Sequence, residues 1–161
     1  MDESSVIDSI LRERRTLAVV GLSDKPDRPS YGVAKYLQTH GYRIVPVNPA
    51  LTEVLGEQSY PDLASIPGPD LVDVVDIFRR AEDVPPLVEA AIAKGAKVVW
   101  MQEGSTNEAA AERARSAGLR VVMNRCMKKE HEKRARQAPD GGSQQDSSGG
   151  WGGRNGESGL S

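Results

Sequence analysis

The strongest constraint on the fold is the alternation of short, continuous apolar runs with longer segments of helical periodicity. The apolar runs are rich in β-branched residues and show no polar alternation, which is typical of parallel strands covered on both faces. They occupy residues 17–20, 44–47, 71–75, 97–100 and 119–123, and helical segments lie between them at residues 30–40, 82–94 and 105–117. The pattern predicts an α/β, Rossmann-like, doubly wound sheet of five parallel strands in a single domain, in the order 3-2-1-4-5.

Details inside these segments predict where the elements begin and end. Gly95 and Gly118 follow two of the helical segments and predict their C-terminal ends. Ser105 or Thr106 is expected to cap the start of the helix over residues 105–117. Pro46 lies inside the second apolar run and cannot donate a hydrogen bond to a neighbouring strand. We therefore expect Pro46 and Pro49 to end this strand early, with its tip turned towards a ligand.

The chain divides into three parts by composition. Residues 1–11 place their apolar side chains on one helical face and predict a lead-in helix, and residues 12–138 form the Rossmann-like domain. Residues 139–161 are rich in glycine and serine and contain few side chains to bury. Burial in this segment would not offset the entropy lost on ordering, so a disordered tail is expected.

Charge and cysteine content narrow the classes of partner. The 21 Lys and Arg residues against 23 Asp and Glu residues indicate neither nucleic acid nor an anionic membrane as a partner. The chain has no apolar run of about 20 residues, the length of a membrane span, and no secretory signal at its start. Cys126 is the single cysteine, which excludes an internal disulfide and favours a reducing, cytoplasmic location. The absence of CxxC and HExxH patterns predicts no metal site.

The loop after the first predicted strand has the residues of an anion site. Gly21 ends the strand, Ser23 and Ser30 add hydroxyl groups, and Lys25 and Arg28 add positive charge before a helix begins. Free N–H groups at a helix N-terminus favour phosphate. An ordinary turn between strand and helix uses the same residue types, so the loop alone leaves both interpretations open.

The loop lacks the fingerprint of a dinucleotide site. That fingerprint has three glycines, followed about 20 residues later by an acid that holds the ribose diol. Here Gly21 has no such companions, and the second strand runs into Asn48. In coenzyme A (CoA) a 3′-phosphate blocks the diol, and an acid there would repel it. These residues favour CoA over NAD.

Four stretches resemble the stand-alone CoA-binding protein family, which is related to the N-terminal domain of the succinyl-CoA ligase α chain. They read VVGLSDKPDRPSYGVAKYLQTHGYRIVPVNP, YPDLASIPGPDLVDVVDIFRRAED, AIAKGAKVVWMQEG and AGLRVVMNRCMKKEH, within about residues 12–134. The resemblance implies a module that binds CoA or an acyl-CoA. The ligases perform their chemistry with a phosphorylated histidine in a following domain that is not part of this sequence, so ligase activity is not implied and we expect a binding module rather than an enzyme.

The resemblance also implies a set of binding residues. The phosphates of the nucleotide would lie against the loop after the first strand, and the ribose and adenine against the end of the second. The third and fourth strands would border the adenine or the pantetheine arm. These residues are, in strand order, Gly21, Ser23, Lys25, Arg28 and Ser30; Val47, Asn48 and Pro49; Phe78 and Arg79; Gln102 and Gly104.

Other residues leave alternatives open. Cys126 and His131 could act on the CoA thiol or thioester, although five residues along a helix place them on different faces. A regulatory interaction protein with a vestigial nucleotide site is the other alternative. Asp73 and Asp76 are expected to be structural, with Asp76 holding a backbone N–H or orienting Arg79. The sequence does not predict the acyl group, the protein partners or the oligomeric state.

Overall fold

The computed structural model describes residues 3–13, 16–68 and 72–137. The described residues divide into two units, one ending at Lys128 and the other beginning at Lys129. The first unit contains every strand of the described chain, and the second contains most of the last described helix. The tail predicted over residues 139–161 lies outside the described residues.

Five parallel strands form the main sheet, as the apolar runs predict. They are β1 (Thr16–Val20), β2 (Arg43–Val47), β5 (Val74–Ile77), β6 (Val98–Met101) and β7 (Arg120–Met123). Two short antiparallel strands, β3 (Glu53–Val54) and β4 (Glu57–Gln58), form a separate hairpin between β2 and β5. Strand β5 extends two residues past the predicted run, which brings Asp76 inside the sheet.

The strand order differs from the prediction. The sheet runs β2-β1-β5-β6-β7, so the third parallel strand pairs with β1 and not with β2. Strand β2 is therefore an edge strand, which a proline tolerates. It also continues through Pro46 to Val47, so the expectation that Pro46 ends the strand early is wrong. On the outer side of β2, the Tyr60 N–H donates to the Pro46 carbonyl at 3.0 Å.

The described part of the chain contains five helices: α1 (Glu3–Arg12), α2 (Pro29–Thr39), α3 (Val84–Lys94), α4 (Glu108–Ser116) and α5 (Met127–Gln137). Short 3-10 helices occupy Leu63–Ser65 and Ala81–Asp83. Gly95 ends α3 in the left-handed conformation, as predicted. The predicted cap of α4 is wrong: the Asn107 side chain caps this helix by accepting from the Ala110 N–H at 2.9 Å, one residue beyond Thr106.

Successive strand residues point to opposite faces of the sheet and so build two cores. On one face Val20, Val75 and Val99 pack with α3 and α4. On the other face Val19 and Trp100 pack with α1, α2 and the first residue of α5. Because both faces are covered, the strands read as continuous apolar runs. The doubly wound α/β fold is confirmed.

Candidate functional site

A cavity of about 770 Å³ opens at the carboxyl edge of the sheet, a size typical of small-molecule sites. The chain passes from β1 outwards to β2 and returns on the other side of β1 to form β5. The cavity therefore lies at the switch in strand order, where open α/β sheets bind ligands. Nine predicted residues line it: Gly21, Ser23, Lys25, Arg28, Ser30, Phe78, Arg79, Gln102 and Gly104.

Gly21 follows the last residue of β1 and lies against Phe78, which follows the last residue of β5. Its φ is +86°, and a Cβ atom built on it would lie 2.3 Å from the Phe78 carbonyl oxygen and 3.1 Å from Cδ of Arg79. The Phe78 N–H donates to the Val20 carbonyl at 2.9 Å. A side chain at position 21 is therefore excluded by backbone, so this glycine has a structural reason in addition to any approach of a phosphate.

The loop between β1 and α2 is held by its two serines. The buried Ser30 hydroxyl accepts from the Ser23 N–H at 3.0 Å, and the Ser23 hydroxyl accepts from the Lys25 N–H at 3.0 Å. Each hydroxyl still has its hydrogen to donate. At the N-cap of α2, Arg28 makes no side-chain hydrogen bond to the helix. The positive end of α2 therefore faces the cavity without a side-chain cap.

Four cations and two carboxylates line the cavity, Lys25, Arg28, Arg79 and Arg80 with Asp83 and Glu103. Arg79 and Arg80 lie 3.6 and 3.4 Å from a carboxylate oxygen of Asp83. In residues 3–13, 16–68 and 72–137, the structure gives Lys25 and Arg28 no side-chain hydrogen bond or ion pair. The cavity therefore has an excess of two positive charges in a chain whose net charge is −2.

The three residues predicted at the end of β2 do not line the cavity. Val47 is buried in the core, and Pro49 is exposed. The Asn48 amide donates to the Leu22 carbonyl at 3.0 Å, and its oxygen accepts from the Ala50 N–H at 2.9 Å. These bonds hold the end of β2 against the loop after β1. A direct contact of these residues with a ligand stays a prediction.

Gln102 connects the cavity to a buried acid. Its side-chain amide donates to Oδ1 of Asp76, which is fully buried in β5. Burial raises the pKa of Asp76 from 3.8 to about 7, and the hydrogen bond from Gln102 opposes that rise. Asp73 instead accepts from the Thr16 N–H at 3.1 Å. Of the two roles expected for Asp76, neither is seen; its hydrogen-bond partner is Gln102.

Sequence reasoning missed several residues that line the cavity: Pro29, Val33, Arg80, Asp83, Glu103 and Ser105. Cys126, which also lines it, was expected only under the alternative of an enzyme. Arg80 could have been found from its position beside Arg79. The Ser105 hydroxyl accepts from the Arg79 N–H at 3.2 Å and so joins the loops after β5 and β6. This contact has no local signal, because it requires that the two strands be neighbours.

Cys126 is half-buried and lies directly before α5, where it lines the cavity. The Trp100 indole N–H donates to the neighbouring Arg125 carbonyl at 2.8 Å, which anchors this turn to β6. His131 belongs to the second unit, where the Glu130 and Arg134 side chains form an ion pair at 2.7 Å. A joint role of Cys126 and His131 stays a hypothesis.

The described residues contain no group of three or more His, Cys, Asp or Glu side chains placed to hold a metal ion. Within the same ranges, no helix is both long and apolar enough to cross a membrane.

The fold and the cavity define the class: a Rossmann-like α/β protein with a basic cavity at its topological switch point. A family model described as the CoA binding domain matches residues 15–132. Because this match covers well over half of the chain, the chain belongs to the CoA binding domain family.

Individual relatives are similar over most of this chain. The uncharacterized protein YneT of Bacillus subtilis (strain 168) is 42% identical over 125 residues, 78% of this chain and 91% of that protein. The structure of a hypothetical protein from Pyrococcus horikoshii OT3 is 45% identical with a TM-score of 0.78, over 82% of this chain and 92% of that one. The alpha subunit of ADP-forming acetate–CoA ligase I from Pyrococcus furiosus is 31% identical over 122 residues, 67% of this chain but 26% of the subunit.

Proposed function

We propose that this protein binds CoA or an acyl-CoA in the cavity at the carboxyl edge of the sheet, and that it acts as a binding module. The observation that carries the proposal is the charge of this cavity. It gathers four cations from two loops, and two of them, Lys25 and Arg28, have no side-chain partner in the described part of the chain. A cytoplasmic location, where CoA would meet a reduced Cys126, is part of the same proposal.

The arrangement suits a polyphosphate ligand. Lys25, Arg28 and the uncapped N-terminus of α2 lie on one side of the cavity, with the Ser23 and Ser30 hydroxyls beside them. Guanidinium and helix N–H groups are the usual partners of phosphate oxygens. The CoA diphosphate would lie against this side. The loops after β5 and β6 supply Phe78 and Gln102 to the remaining part of the ligand.

The end of β2 favours CoA over NAD. A dinucleotide site needs a carboxylate here to bind two ribose hydroxyls. Asn48 occupies the position, and both ends of its amide bond backbone groups. An amide at this position does not repel a 3′-phosphate, while the excess positive charge of the cavity would attract one.

Thermal unfolding of the purified chain tests the proposal. At a ligand concentration about one hundred times the dissociation constant, mass action stabilises the folded state by about 2.7 kcal/mol. A folded unit of this size gains roughly 3–5 °C per kcal/mol. We therefore expect CoA to raise the Tm by about 10 °C, acetyl-CoA to act similarly, and NAD to have little effect.

Each outcome of these experiments distinguishes the proposed function from one alternative. Equal or greater stabilisation by NAD would return the protein to the dinucleotide-binding class. No shift with CoA, acetyl-CoA, NAD or ATP would favour the vestigial site. Mass spectrometry of the ligand retained during purification would identify an acyl group, and release of free CoA from an acyl-CoA would indicate an enzyme instead.

A further inference from the structure

Asp76 lies in an environment that does not favour a carboxylate. It is in the central strand β5, fully buried, and its cross-strand neighbours are Val19 on β1 and Trp100 on β6. In the described part of the chain, Oδ1 bonds the Gln102 amide and Oδ2 has no partner. Burying a polar group without a full set of partners is costly. Packing alone does not explain a buried acid at position 76, and the bond from Asp76 to Gln102 indicates a role at the cavity.

Gln102 reaches both the acid and the cavity. It is buried but lines the cavity, and its amide nitrogen is the end that faces Asp76. The described side-chain atoms that are sealed from solvent without a partner are Asp76 Oδ2 and Thr106 Oγ1. The Gln102 amide oxygen is not among them and has no hydrogen bond in the described residues, so this oxygen is accessible, and the cavity is the open space that Gln102 lines.

Proton chemistry makes this orientation depend on Asp76. An ionised carboxylate only accepts hydrogen bonds, so Gln102 must turn its NH2 group towards it and its oxygen towards the cavity. A protonated Asp76 can donate to the amide oxygen, and the NH2 group is then free to face the cavity. Protonation therefore permits an orientation in which the cavity wall presents a donor at this point, and the carboxylate does not.

We propose that Asp76 is a positioning residue that sets the orientation of the Gln102 amide, and thereby the hydrogen-bonding character of the cavity wall. While Asp76 is ionised, the Gln102 oxygen accepts from an N–H group of the ligand. CoA has such groups in its pantetheine amides and its adenine amine. This part rests on the proposed function, whereas the orientation of Gln102 is a property of the protein alone.

The groups that surround Asp76 support the inference that Asp76 alone controls the orientation of the Gln102 amide. Its neighbours on β1 and β6 are apolar, α2 presents Val33 and the hydroxyl of Ser30 to the cavity, and Cys126 is the titratable group before α5. The charged groups that line the cavity are Lys25, Arg28, Arg79, Arg80, Asp83 and Glu103. In the described residues none of them bonds Asp76, and burial places its pKa at about 7.

The first test uses the protein without ligand. Side-chain NH2 resonances of Gln102, assigned with the Gln102→Leu variant, are followed by 1H–15N NMR from pH 5 to pH 9. We expect them to titrate with a midpoint near pH 7 and to be constant in Asp76→Asn. Gln38 is the internal control, because its amide donates to the Leu55 carbonyl at 3.0 Å and should not titrate. Constant Gln102 resonances in the parent, or the same titration in Asp76→Asn, would overturn the proposal.

The second test measures CoA affinity by calorimetry at pH 6 and pH 8. The 3′-phosphate of CoA also titrates near pH 6, and Asp76→Asn leaves that titration unchanged. We expect the affinity of the parent, relative to Asp76→Asn, to rise about three- to tenfold from pH 6 to pH 8, the effect of one hydrogen bond. A constant ratio would refute the ligand part and leave CoA binding intact. If the parent binds no CoA at either pH, the proposed function fails, and the NMR titration still decides the orientation of Gln102.

Discussion

Replacing Gly21 by alanine should destabilise the fold more than any other glycine-to-alanine change in the β1, β5 and β6 loops. The φ of +86° costs an alanine about 1–2 kcal/mol. The new Cβ would also lie 2.3 Å from the Phe78 carbonyl oxygen, which is far closer than van der Waals contact. One of the two backbones must therefore move.

Neither backbone is free to move. The Gly21 N–H donates to the Val47 carbonyl at 2.9 Å, and the Phe78 N–H donates to the Val20 carbonyl at 2.9 Å. Separating the strand ends weakens one of these bonds, each worth about 0.5–1.5 kcal/mol. Together the terms amount to about 1.5–3.5 kcal/mol, and the Tm should fall by roughly 10 °C.

Alanine variants at two other glycines separate the conformational cost of a positive φ from the steric cost of the new Cβ. Gly104 has a φ of +85° with open space around it, so Gly104→Ala should lose only the conformational term of about 1–2 kcal/mol. Gly32 lies inside α2 with open space, and Gly32→Ala should be neutral or stabilising by about 0.5–1 kcal/mol. Urea unfolding of the three variants measures the series. A Gly21→Ala variant no less stable than Gly104→Ala would show that β1 and β5 do not meet as described.

Three further predictions concern two residues that line the cavity and the buried Asp76. Arg28→Ala should weaken CoA binding by about tenfold to a hundredfold, the loss of one charge-assisted contact, whereas Lys35→Ala on the exposed face of α2 should not; equal effects in calorimetry would argue against a phosphate at Arg28. Cys126→Ser should bind CoA almost as well as the parent, and a tenfold loss in a folded variant would assign the thiol a binding role. The folded pKa of Asp76 lies above its unfolded value of 3.8, so the folded state binds the extra proton between about pH 4 and pH 7. Its contribution to stability is therefore present below pH 4 and is lost as the pH rises to 7, by on the order of 4 kcal/mol. Asp76→Asn should abolish this loss, and an unchanged pH dependence of unfolding would contradict the buried acid.

The elements were predictable because their signals are local. Continuous β-branched runs indicate buried parallel strands, and Gly95 marks a helix end through its own conformation. The first-strand loop was predictable for the same reason: Ser23, Lys25 and Arg28 are close in sequence, and the helix that follows them orients them towards one cavity.

The contacts that sequence reasoning did not predict depend on how the strands are arranged. The Asn48 side chain suits both a ribose and a backbone carbonyl, and its bond to the Leu22 carbonyl depends on the position of the loop after β1. Asp76 and Gln102 are 26 residues apart, and their bond requires that β5 and β6 be neighbours in this register. Hydrophobic periodicity carries no information on either point.

Strand order was the error with the largest effect on the site, and Pro46 contradicted the predicted order from the start. In a strand, the nitrogen and the carbonyl of one residue face the same side. The Pro46 carbonyl accepts from Tyr60 on the side away from β1, so the proline nitrogen also faces that side, where it has no ladder partner to supply. The order 3-2-1-4-5 would have placed a full strand there. A full strand there would lack the hydrogen bond that the Pro46 nitrogen cannot donate. The third strand pairs with β1 instead, and this pairing brings Phe78 against Gly21 and joins the two loops that form the cavity.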